Sequence, residues 1–264
     1  MNTARPLAVV TGASKGIGFE LARIFAENGF DLLINSEDAS LDRAAEELRA
    51  GGASVTPVRA DLTTYDGVQQ LYAAVQETGR PVDAVALNAG IGQGGAFVDN
   101  DLADELDIIN LNVISTVHLA KLVVRDMVAR KSGRVLFTSS IAATMPGPFQ
   151  AVYNASKSFV QSFAEALRNE LKDTGVSVTA LMPGPTDTEF FSEAEMEDTK
   201  LAQAYRDHPA QVAQQGFDAL MAGKEKVVAG SLKTKAQALG NAVTPDKLKS
   251  QAHRQMAKPG SADS

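Results

Sequence analysis

Apolar and polar positions alternate between two patterns along the chain. Short apolar runs, as expected for strands buried on both faces of a sheet, occur at residues 7–10, 31–35, 54–59, 82–87, 134–139, 177–182 and 227–229. Stretches with apolar residues three or four positions apart lie between them, at residues 17–28, 41–49, 68–76, 106–130, 151–174 and 209–221. This spacing predicts amphipathic helices, so strands and helices follow one another in turn.

Such alternation is typical of parallel strands whose connecting helices cover both faces of the sheet. With right-handed crossovers the fold class is α/β, a doubly wound parallel sheet in three layers, Rossmann-like in topology. No proline- or glycine-rich linker and no repeat of fixed period divides the sequence, so we expect one domain over residues 1–264. Within it, residues 185–225 are expected to form a substrate-loop region and residues 258–264 a flexible tail.

The helix at residues 106–130 is apolar on nearly every side. Val113, Val117 and Val124 lie on one side, and Ile109 and Leu122 lie elsewhere. A helix that buries one face only should not look like this. Either a subunit interface or neighbouring loops cover the outer side. We favour a homodimer through this helix and the helix at residues 151–174, with a tetramer as an alternative.

Composition narrows the class of protein. The chain has 264 residues, 44% of them hydrophobic and 22% charged, which is an ordinary globular mix. It contains no cysteine, which excludes disulfides, zinc–cysteine sites and thiol catalysis, and no metal site is expected. The net charge of -7 disfavours a nucleic-acid partner. Without a run of 18 apolar residues or a signal peptide, we expect a cytoplasmic protein and no membrane partner.

The charge is unevenly distributed. Residues 223–264 carry eight basic and three acidic side chains, so the rest of the chain is more acidic than the total suggests. A solvated C-terminal surface explains this distribution most simply, although such a segment could also meet an anionic substrate or partner.

A glycine-rich turn follows the first predicted strand and opens the first helix. It reads Thr11-Gly12-Ala13-Ser14-Lys15-Gly16-Ile17-Gly18. Glycines in such a turn let the backbone approach a pyrophosphate, to which the helix N-terminus presents amide donors and a positive dipole end.

The same turn also matches the G-x-S-x-G nucleophile elbow of α/β-hydrolases, through Gly12, Ser14 and Gly16. This alternative is weak, because an elbow serine follows several strands and Ser14 follows the first. Nothing in the pattern marks a base among the three histidines, His118, His208 and His253. We expect these histidines at surface or helix-packing positions.

A second group of polar residues lies in the middle of the chain. Tyr153 and Lys157 stand four apart on a predicted helix and therefore share a face. An ammonium near a phenol favours the phenolate and lowers the pKa of the tyrosine. Ser140 follows a strand, at the sheet edge where ligands bind in open α/β folds. Further polar or small residues follow other strands, namely Asp61-Leu62, Asn88-Ala89-Gly90 and Pro183-Gly184. Asn112 lies in the long helix after the strand that ends at Asn88-Ala89-Gly90.

Together these residues resemble the short-chain dehydrogenase/reductase family in its single-domain branch. The resemblance spans residues 7–190 and keeps the family's order of motifs. It implies that Tyr153 is the general acid in carbonyl reduction and the base in alcohol oxidation. Ser140 would polarise the carbonyl, Lys157 would bind the nicotinamide ribose and lower the pKa of Tyr153, and Asn112 would hold a water in a proton relay. Spacing within the family pattern favours Ser140 over Ser139, and Asn112 over Asn110.

The resemblance also implies a set of cofactor-binding residues. The pyrophosphate would lie at the glycine turn, the adenine at Asp61 and Leu62, and the nicotinamide beside Pro183, Gly184 and Thr188. The full set is Gly12, Ser14, Lys15, Gly16, Ile17, Gly18, Ser36, Asp61, Leu62, Asn88, Ala89, Gly90, Tyr153, Lys157, Pro183, Gly184 and Thr188.

Cofactor preference depends on the end of the second strand. NAD enzymes usually carry an acidic residue there, which binds the ribose 2′-hydroxyl. This chain has Ser36, followed by Glu37 and Asp38. Lys15 could bind a 2′-phosphate, as its family counterpart often does. We favour NADP as the cofactor, with NAD as the alternative.

The substrate loop is expected at residues 185–200, where it carries Phe190, Phe191 and Met196. Met145, Pro146 and Phe149 follow Ser140 and add further apolar side chains; all six could instead pack onto the core. An apolar pocket favours a hydrophobic ketone, aldehyde or secondary alcohol. The acidic residues of this loop disfavour a strongly anionic substrate unless the basic C-terminal segment compensates for them. These residues are Glu189, Glu193, Glu195, Glu197 and Asp198.

The sequence therefore predicts an oxidoreductase that transfers a hydride between NADP(H) and a small carbonyl or alcohol substrate. The alternative is a non-catalytic nucleotide-sensing protein of the same fold. The complete set of Asn112, Ser140, Tyr153 and Lys157 argues against a sensor, which has no need of a tuned phenol.

Overall fold

The computed structural model describes residues 5–263 and contains one parallel sheet of seven strands. The strands are β1 (Leu7–Thr11), β2 (Asp31–Ser36), β3 (Val55–Arg59), β4 (Val82–Leu87), β5 (Gly133–Thr138), β6 (Val176–Pro183) and β7 (Lys226–Ala229). Their order across the sheet is β3-β2-β1-β4-β5-β6-β7. The predicted doubly wound sheet is confirmed. Its strand order reverses between β1 and β4, which is where a crevice opens at the carboxyl ends of such sheets.

Helices cover both faces of the sheet. One face carries α1 (Gly16–Glu27), α2 (Leu41–Ala50) and α9 (Pro209–Met221). The other carries α3 (Tyr65–Glu77), α5 (Thr116–Ala129) and α6 (Ala151–Leu171), with α4 (Leu102–Ile109) leading into α5. The remaining helices are α7 (Phe190–Glu193), α8 (Lys200–Gln203), α10 (Leu232–Val243) and α11 (Asp246–Ala257).

The strands are apolar throughout because both of their faces are buried. Along β1, Leu7 and Val9 join the core beneath α3, α5 and α6, whereas Ala8 and Val10 join the core beneath α1, α2 and α9. Successive side chains of a strand point to opposite faces, so a strand between two helical layers needs apolar residues at every position.

The long helix begins earlier than predicted and is not uniform. A helical stretch runs from Leu102 to Ala129, with a π-helical segment at Asn110–Ser115 between α4 and α5. Its length and composition alone would allow it to cross a membrane. In the structure Leu119 and Met127 are buried in the core, so the apolar character of α5 serves packing onto the sheet.

The C-terminal segment folds back onto the molecule. The sequence pattern predicts no element after β7, whereas the structure has α10 and α11 there. Within the segment expected to be flexible, residues 258–264, the structure contains a 3₁₀ turn at Ser261–Asp263. The amide of Gly260 donates to a carboxylate oxygen of Asp198 (2.6 Å), and the amide of Ala262 donates to the Asp198 carbonyl (2.9 Å). Ser264 lies outside the described residues.

Candidate active site

A crevice of about 710 Å³ lies at the carboxyl ends of the strands. All seventeen residues predicted to bind the cofactor line it, as does Ser140. Asn112 is the one predicted site residue that does not. Residues from the glycine turn, the ends of β4, β5 and β6, and the start of α6 therefore converge on one space, as parallel strands with their carboxyl ends together require.

The glycine turn approaches the neighbouring strand ends too closely for side chains. Gly12 adopts the left-handed backbone region (φ 64°), and a Cβ there would lie 2.9 Å from the Cα of Ala89. A Cβ on Gly18 would lie 2.0 Å from the carbonyl oxygen of Gly12. Glycine is therefore required at both positions, and the first turn of α1 presents its backbone amides to the crevice.

Asn88 ties together the ends of three strands. Its Nδ2 donates to the carbonyl oxygen of Thr11 at the end of β1 (3.2 Å), and its Oδ1 accepts from the Thr138 hydroxyl at the end of β5 (3.0 Å). The Thr11 hydroxyl in turn accepts from the amides of Asn88 and Ala89, at 3.0 Å each. This network fixes the loop after β4 as one wall of the crevice.

Tyr153, Ser140 and Lys157 meet inside the crevice. The Lys157 ammonium lies 5.8 Å from the centre of the Tyr153 ring and donates to the Thr138 carbonyl (3.1 Å). The Ser140 hydroxyl donates to the Pro183 carbonyl (3.5 Å) and lies near enough to the Tyr153 hydroxyl to affect its pKa. The Ser139 hydroxyl instead donates to the backbone carbonyl of Lys157 (3.1 Å) and is buried. Of the two neighbouring serines, Ser140 is thus the one near the phenol.

Burial controls the ionisation of this pair. It raises the pKa of Tyr153 to about 12, although the nearby Ser140 hydroxyl acts in the opposite direction. Burial also lowers the pKa of Lys157 to about 8. Lys157 is not among the groups that shift the pKa of Tyr153 here; burial and Ser140 are. At neutral pH the phenol is protonated, which is the form a proton donor needs.

Asn112 lies behind the crevice wall in the π-helical segment. Its Oδ1 accepts from the amide of Ile91 (3.0 Å), and its Nδ2 donates to the Ile91 carbonyl (2.9 Å) and to the Ser156 hydroxyl (3.0 Å). Gly90 lies between Asn112 and Lys157. A Cβ on Gly90 would lie 3.0 Å from both Asn112 Oδ1 and Lys157 Nζ. The observed contacts hold the loop after β4 in place.

Lys15 bridges the two sides of the crevice. Its ammonium pairs with Glu193 and with Glu189 (2.6 Å), at the start of the substrate loop, and lies 3.8 Å from Asp38. Burial acts to lower its pKa, but hydrogen bonds to Glu189 and Glu193 outweigh this and raise the pKa above its usual value. A 2′-phosphate would therefore compete with carboxylates for Lys15.

Acidic residues gather near the end of β2. Burial, together with the neighbouring carboxylates of Asp61 and Asp107, raises the pKa of Glu37. Glu37, Asp38 and Asp61 all line the crevice. This end of the crevice thus presents the carboxylates of Glu37, Asp38 and Asp61 beside the ammonium of Lys15.

The hydrolase alternative requires a base beside Ser14, and none of the three histidines, all within the described residues, bonds to it. The Ser14 hydroxyl donates to the Ser36 hydroxyl (3.1 Å). His118 contacts Gln69 (2.7 Å), and His208 caps the N-terminus of α9. His253 lies on α11, in the wall lined by the C-terminal helices. The nucleophile elbow therefore lacks the partner it would need.

The predicted apolar side chains lie partly in the crevice and partly in a small core of the substrate loop. Phe190, Phe191 and Met145 line the crevice. Met196 and Phe191 are buried in the small core, and Phe149 and Phe190 pack against it. Loop packing thus accounts fully for Met196 and Phe149 and in part for Phe190 and Phe191, whereas Pro146 lines a separate surface pocket.

Sequence reasoning missed the wall formed by α10 and α11. Both helices line the crevice, for example through Thr234, Asn241, Lys249, His253 and Met256. Of the three histidines expected at surface or helix-packing positions, His253 is buried on α11 and also lines the crevice. The available signals were the basic charge of this segment and the spacing of Lys249 and His253, four residues apart on one helix.

Comparison with known proteins places the chain in a family. A family model described as short chain dehydrogenase matches residues 6–199. The oxidoreductase UcpA of Salmonella typhimurium is 33% identical over 178 residues, which cover 67% of this chain and 68% of that protein. A 3-oxoacyl-[acyl-carrier-protein] reductase of Synechocystis sp. is 33% identical over 180 residues, covering 67% of this chain and 73% of that protein.

Solved structures resemble this one over more of its length. A short-chain dehydrogenase from Sphingobium yanoikuyae, solved in complex with NADPH, superposes with a TM-score of 0.80 at 27% identity. The match covers 90% of this chain and 93% of the other. The sequence motifs, the sheet order and the grouping of Ser140, Tyr153 and Lys157 agree with these matches: the chain belongs to the short-chain dehydrogenase/reductase family.

Proposed function

We propose that this protein transfers a hydride between NADP(H) and a hydrophobic ketone, aldehyde or secondary alcohol, with Tyr153 as the proton donor and acceptor. As a member of its family the protein is an NAD(P)-dependent oxidoreductase. The observation that carries the finer proposal is that Ser140, Tyr153 and Lys157 line one crevice, with the Lys157 ammonium 5.8 Å from the centre of the Tyr153 ring.

The nicotinamide cofactor supplies the hydride when it is bound. In the reductive direction Ser140 donates a hydrogen bond to the substrate carbonyl, which favours negative charge on its oxygen. Tyr153 then gives its phenolic proton to that oxygen. The Lys157 ammonium stabilises the phenolate that remains, and alcohol oxidation reverses the proton transfer.

The crevice fits a dinucleotide at its glycine-turn end. Gly12 and Gly18 leave no room for side chains, so the backbone can approach a pyrophosphate at the N-terminus of α1. Asp61 and Leu62 border the adenine side of the crevice, and Pro183, Gly184 and Thr188 border the nicotinamide side. For NADP, Lys15 would exchange its pairs with Glu189 and Glu193 for the 2′-phosphate. The carboxylates of Glu37 and Asp38 support NAD as the second candidate.

Four large apolar side chains contribute to the walls of the crevice. Met145 follows the serine, Phe190 and Phe191 come from the substrate loop, and Met256 comes from α11. Such walls favour a substrate with a hydrocarbon body around or beside its carbonyl group.

We also propose that the protein acts as a cytoplasmic homodimer, without a nucleic-acid or membrane partner. The support is an apolar surface at the predicted interface: Leu106, Ile109 and Ile114 on the long helix and Phe159 on α6 are all exposed. Exposed apolar groups on two helices mark a surface that a partner subunit could cover.

The decisive experiment follows reduced nicotinamide while a panel of ketones, aldehydes and secondary alcohols is offered to the wild type and to Tyr153→Phe. Removing the proton donor should lower kcat about 100-fold or more, because general acid catalysis is worth that much. Binding of NADPH, measured by fluorescence, should change little. Tyr72→Phe removes a hydroxyl outside the crevice, which bonds Asp126, and serves as the matched control.

Two outcomes would contradict the proposal. Turnover of Tyr153→Phe near the wild-type rate would show that another group supplies the proton. Tight NADPH binding with no turnover of any carbonyl or alcohol would favour a nucleotide-sensing protein.

A further inference from the structure

Asp207 is a fully buried carboxylate that the proposed reaction does not use. It is 0% exposed and lies between the substrate loop and α9. One carboxylate oxygen accepts from the backbone amide of Ser231 (2.8 Å), and the other accepts from the Thr234 hydroxyl (2.5 Å). Both partners are neutral donors. A carboxylate enclosed in this way depends on them, because leaving a buried charge without donors costs much free energy.

The backbone of Asp207 joins the two ends of the substrate loop. Its amide donates to the carbonyl of Pro185 (2.8 Å), and its carbonyl accepts from the amide of Asp187 (2.9 Å). These two bonds form a parallel bridge between Asp207 and Thr186. The segment that leaves β6 and the segment that enters α9 are therefore held side by side at Asp207.

The side chain of Asp207 links this point to the C-terminal wall of the crevice. Ser231 caps the N-terminus of α10, and Thr234 lies in the first turn of that helix. Gly230 makes room for the carboxylate, since a Cβ there would lie 2.1 Å from one of its oxygens. Gly230 also has a φ of 133°, which glycine adopts most readily. The positive end of the α10 dipole further favours the negative charge.

Thr234 extends this link to the crevice itself. Thr234 and Gly184 both line the crevice, and Thr234 is only 4% exposed. A Cβ on Gly184 would lie 2.5 Å from the Thr234 methyl carbon and 3.0 Å from its hydroxyl oxygen. Helix α10 thus packs directly on the backbone of Gly184 through Thr234, in a position that the hydrogen bond to Asp207 holds.

The link comes from a part of the chain outside the family's motifs. The family model matches residues 6–199, so Asp207, Ser231 and Thr234 all follow the matched segment. Gly184 lies within that segment. A feature of the C-terminal part of this chain therefore supports a residue of the shared site.

We propose that Asp207 is a positioning residue that, through Thr234, fixes the Pro183–Gly184 wall for the nicotinamide end of the cofactor. The inference rests on the proposed function, which assigns the nicotinamide to this wall. Asp207 does not line the crevice, so it acts only through Thr234. A wall that is already fixed loses little conformational freedom when a ligand binds, which favours both affinity and alignment.

Thr234→Val tests the link without removing the buried carboxylate, because valine resembles threonine in shape and lacks the hydroxyl. Calorimetry compares the affinities for NADPH and for 2′-phospho-ADP-ribose, which lacks the nicotinamide. If the wild type binds NADH more tightly than NADPH, the pair is NADH and ADP-ribose. We expect the affinity for the complete cofactor to fall about fivefold or more, and that for the truncated ligand less than about twofold.

Turnover supplies a second measurement. In Thr234→Val, kcat should fall about tenfold through misalignment of the cofactor. The pH profile of kcat should not change, because Tyr153 and Lys157 remain in place. A weaker hydrogen bond in Asp207→Asn should lower the ratio of the two affinities about two- to fivefold. Adding Asp207→Asn to Thr234→Val should change the ratio by less than about twofold further, since Asp207 acts through Thr234.

Two variants separate positioning from general stability. Thr234→Ser keeps the hydroxyl and should recover most of the NADPH affinity that Thr234→Val loses. Thr179→Val removes another buried hydroxyl, which donates to the Lys224 carbonyl (2.6 Å) outside the crevice. It should leave the ratio of the two affinities unchanged, even where it lowers the free energy of unfolding.

The outcomes distinguish this inference from the proposed function. Equal losses for the complete and the truncated ligand, or the same change of ratio in Thr179→Val, would overturn the positioning role and leave the reductase intact. The expected change of ratio without turnover of any carbonyl or alcohol would support the positioning role and count against the reductase. A wild type that binds neither ligand would overturn both.

Discussion

The ring of Phe190 lies 5.1 Å from the ring of Tyr153, with the two planes inclined at 49°. Phe190 also lies close to the loop after β4, since a Cβ on Gly92 would be 2.6 Å from its ring. The first residue of α7 thus covers the proposed proton donor and joins the substrate loop to the opposite wall. Phe190 therefore lines the proposed substrate pocket, and its ring covers one side of the Tyr153 phenol.

Replacing Phe190 by alanine should therefore weaken substrate binding. The lost apolar contact is worth about 1–2 kcal/mol, so KM for a hydrophobic ketone should rise roughly five- to thirtyfold, while KM for the cofactor changes little. Steady-state kinetics of Phe190→Ala measure both constants. Phe97→Ala removes an exposed ring that does not line the crevice and is the control. An unchanged KM for every ketone tested would contradict this role of Phe190.

Lys157 should cost the protein stability at neutral pH. Burial lowers its pKa to about 8 from the ordinary value of 10.5, so the folded state disfavours the protonated form that predominates at pH 7. The cost is about 3 kcal/mol below pH 8 and disappears as the pH rises toward 10.5, where the unfolded chain also loses the proton. Lys157→Met should accordingly raise the free energy of unfolding at pH 7 by about 1–3 kcal/mol, with some loss from the unpaired Thr138 carbonyl.

Urea denaturation at pH 7 and pH 10 checks this prediction. The advantage of Lys157→Met over the wild type should shrink to under about 1 kcal/mol at pH 10. Lys121→Met, at an exposed position on α5, should show no such pH dependence. A variant less stable than the wild type at pH 7 would mean that the buried ammonium stabilises the fold.

Lys15 should decide between the two nicotinamide cofactors. If it binds the 2′-phosphate, Lys15→Met should raise KM for NADPH about tenfold more than KM for NADH. Glu189→Gln combined with Glu193→Gln should act in the opposite direction, because it frees the ammonium from its present partners. Lys235→Met, at an exposed position outside the crevice, is the control. A tenfold preference of the wild type for NADH would instead assign the 2′-hydroxyl to Glu37 and Asp38.

The proposed dimer can be tested by placing charge in its interface. Ile114→Glu combined with Phe159→Glu should convert the dimer to a monomer, because an interface cannot bury two unpaired carboxylates. Light scattering coupled to size-exclusion chromatography measures the mass. Leu232→Glu changes an equally apolar residue that is 84% exposed on α10 and should leave the dimer intact. Dissociation by Leu232→Glu alone would move the interface to the C-terminal helices.

Local patterning predicted most elements well. All seven strands lie where short apolar runs predicted them, because a strand buried on both faces must be apolar at each position. The helix boundaries were less accurate. Nothing in the pattern predicts the π-helical segment at Asn110–Ser115, where tertiary contacts of Asn112 with Ile91 and Ser156 accompany a change in helical hydrogen bonding.

The sequence by itself determined the order of elements, the glycine turn and the spacing of Tyr153 and Lys157, because each depends on residues close together in the chain. Only the tertiary structure decided that Lys15 pairs with Glu189 and Glu193, that Phe190 lies against Tyr153, and that His253 lies in the wall of the crevice. These features join residues separated by up to 178 positions. The packing of the sheet and its helices brings these distant segments together. Local sequence periodicity does not predict such contacts.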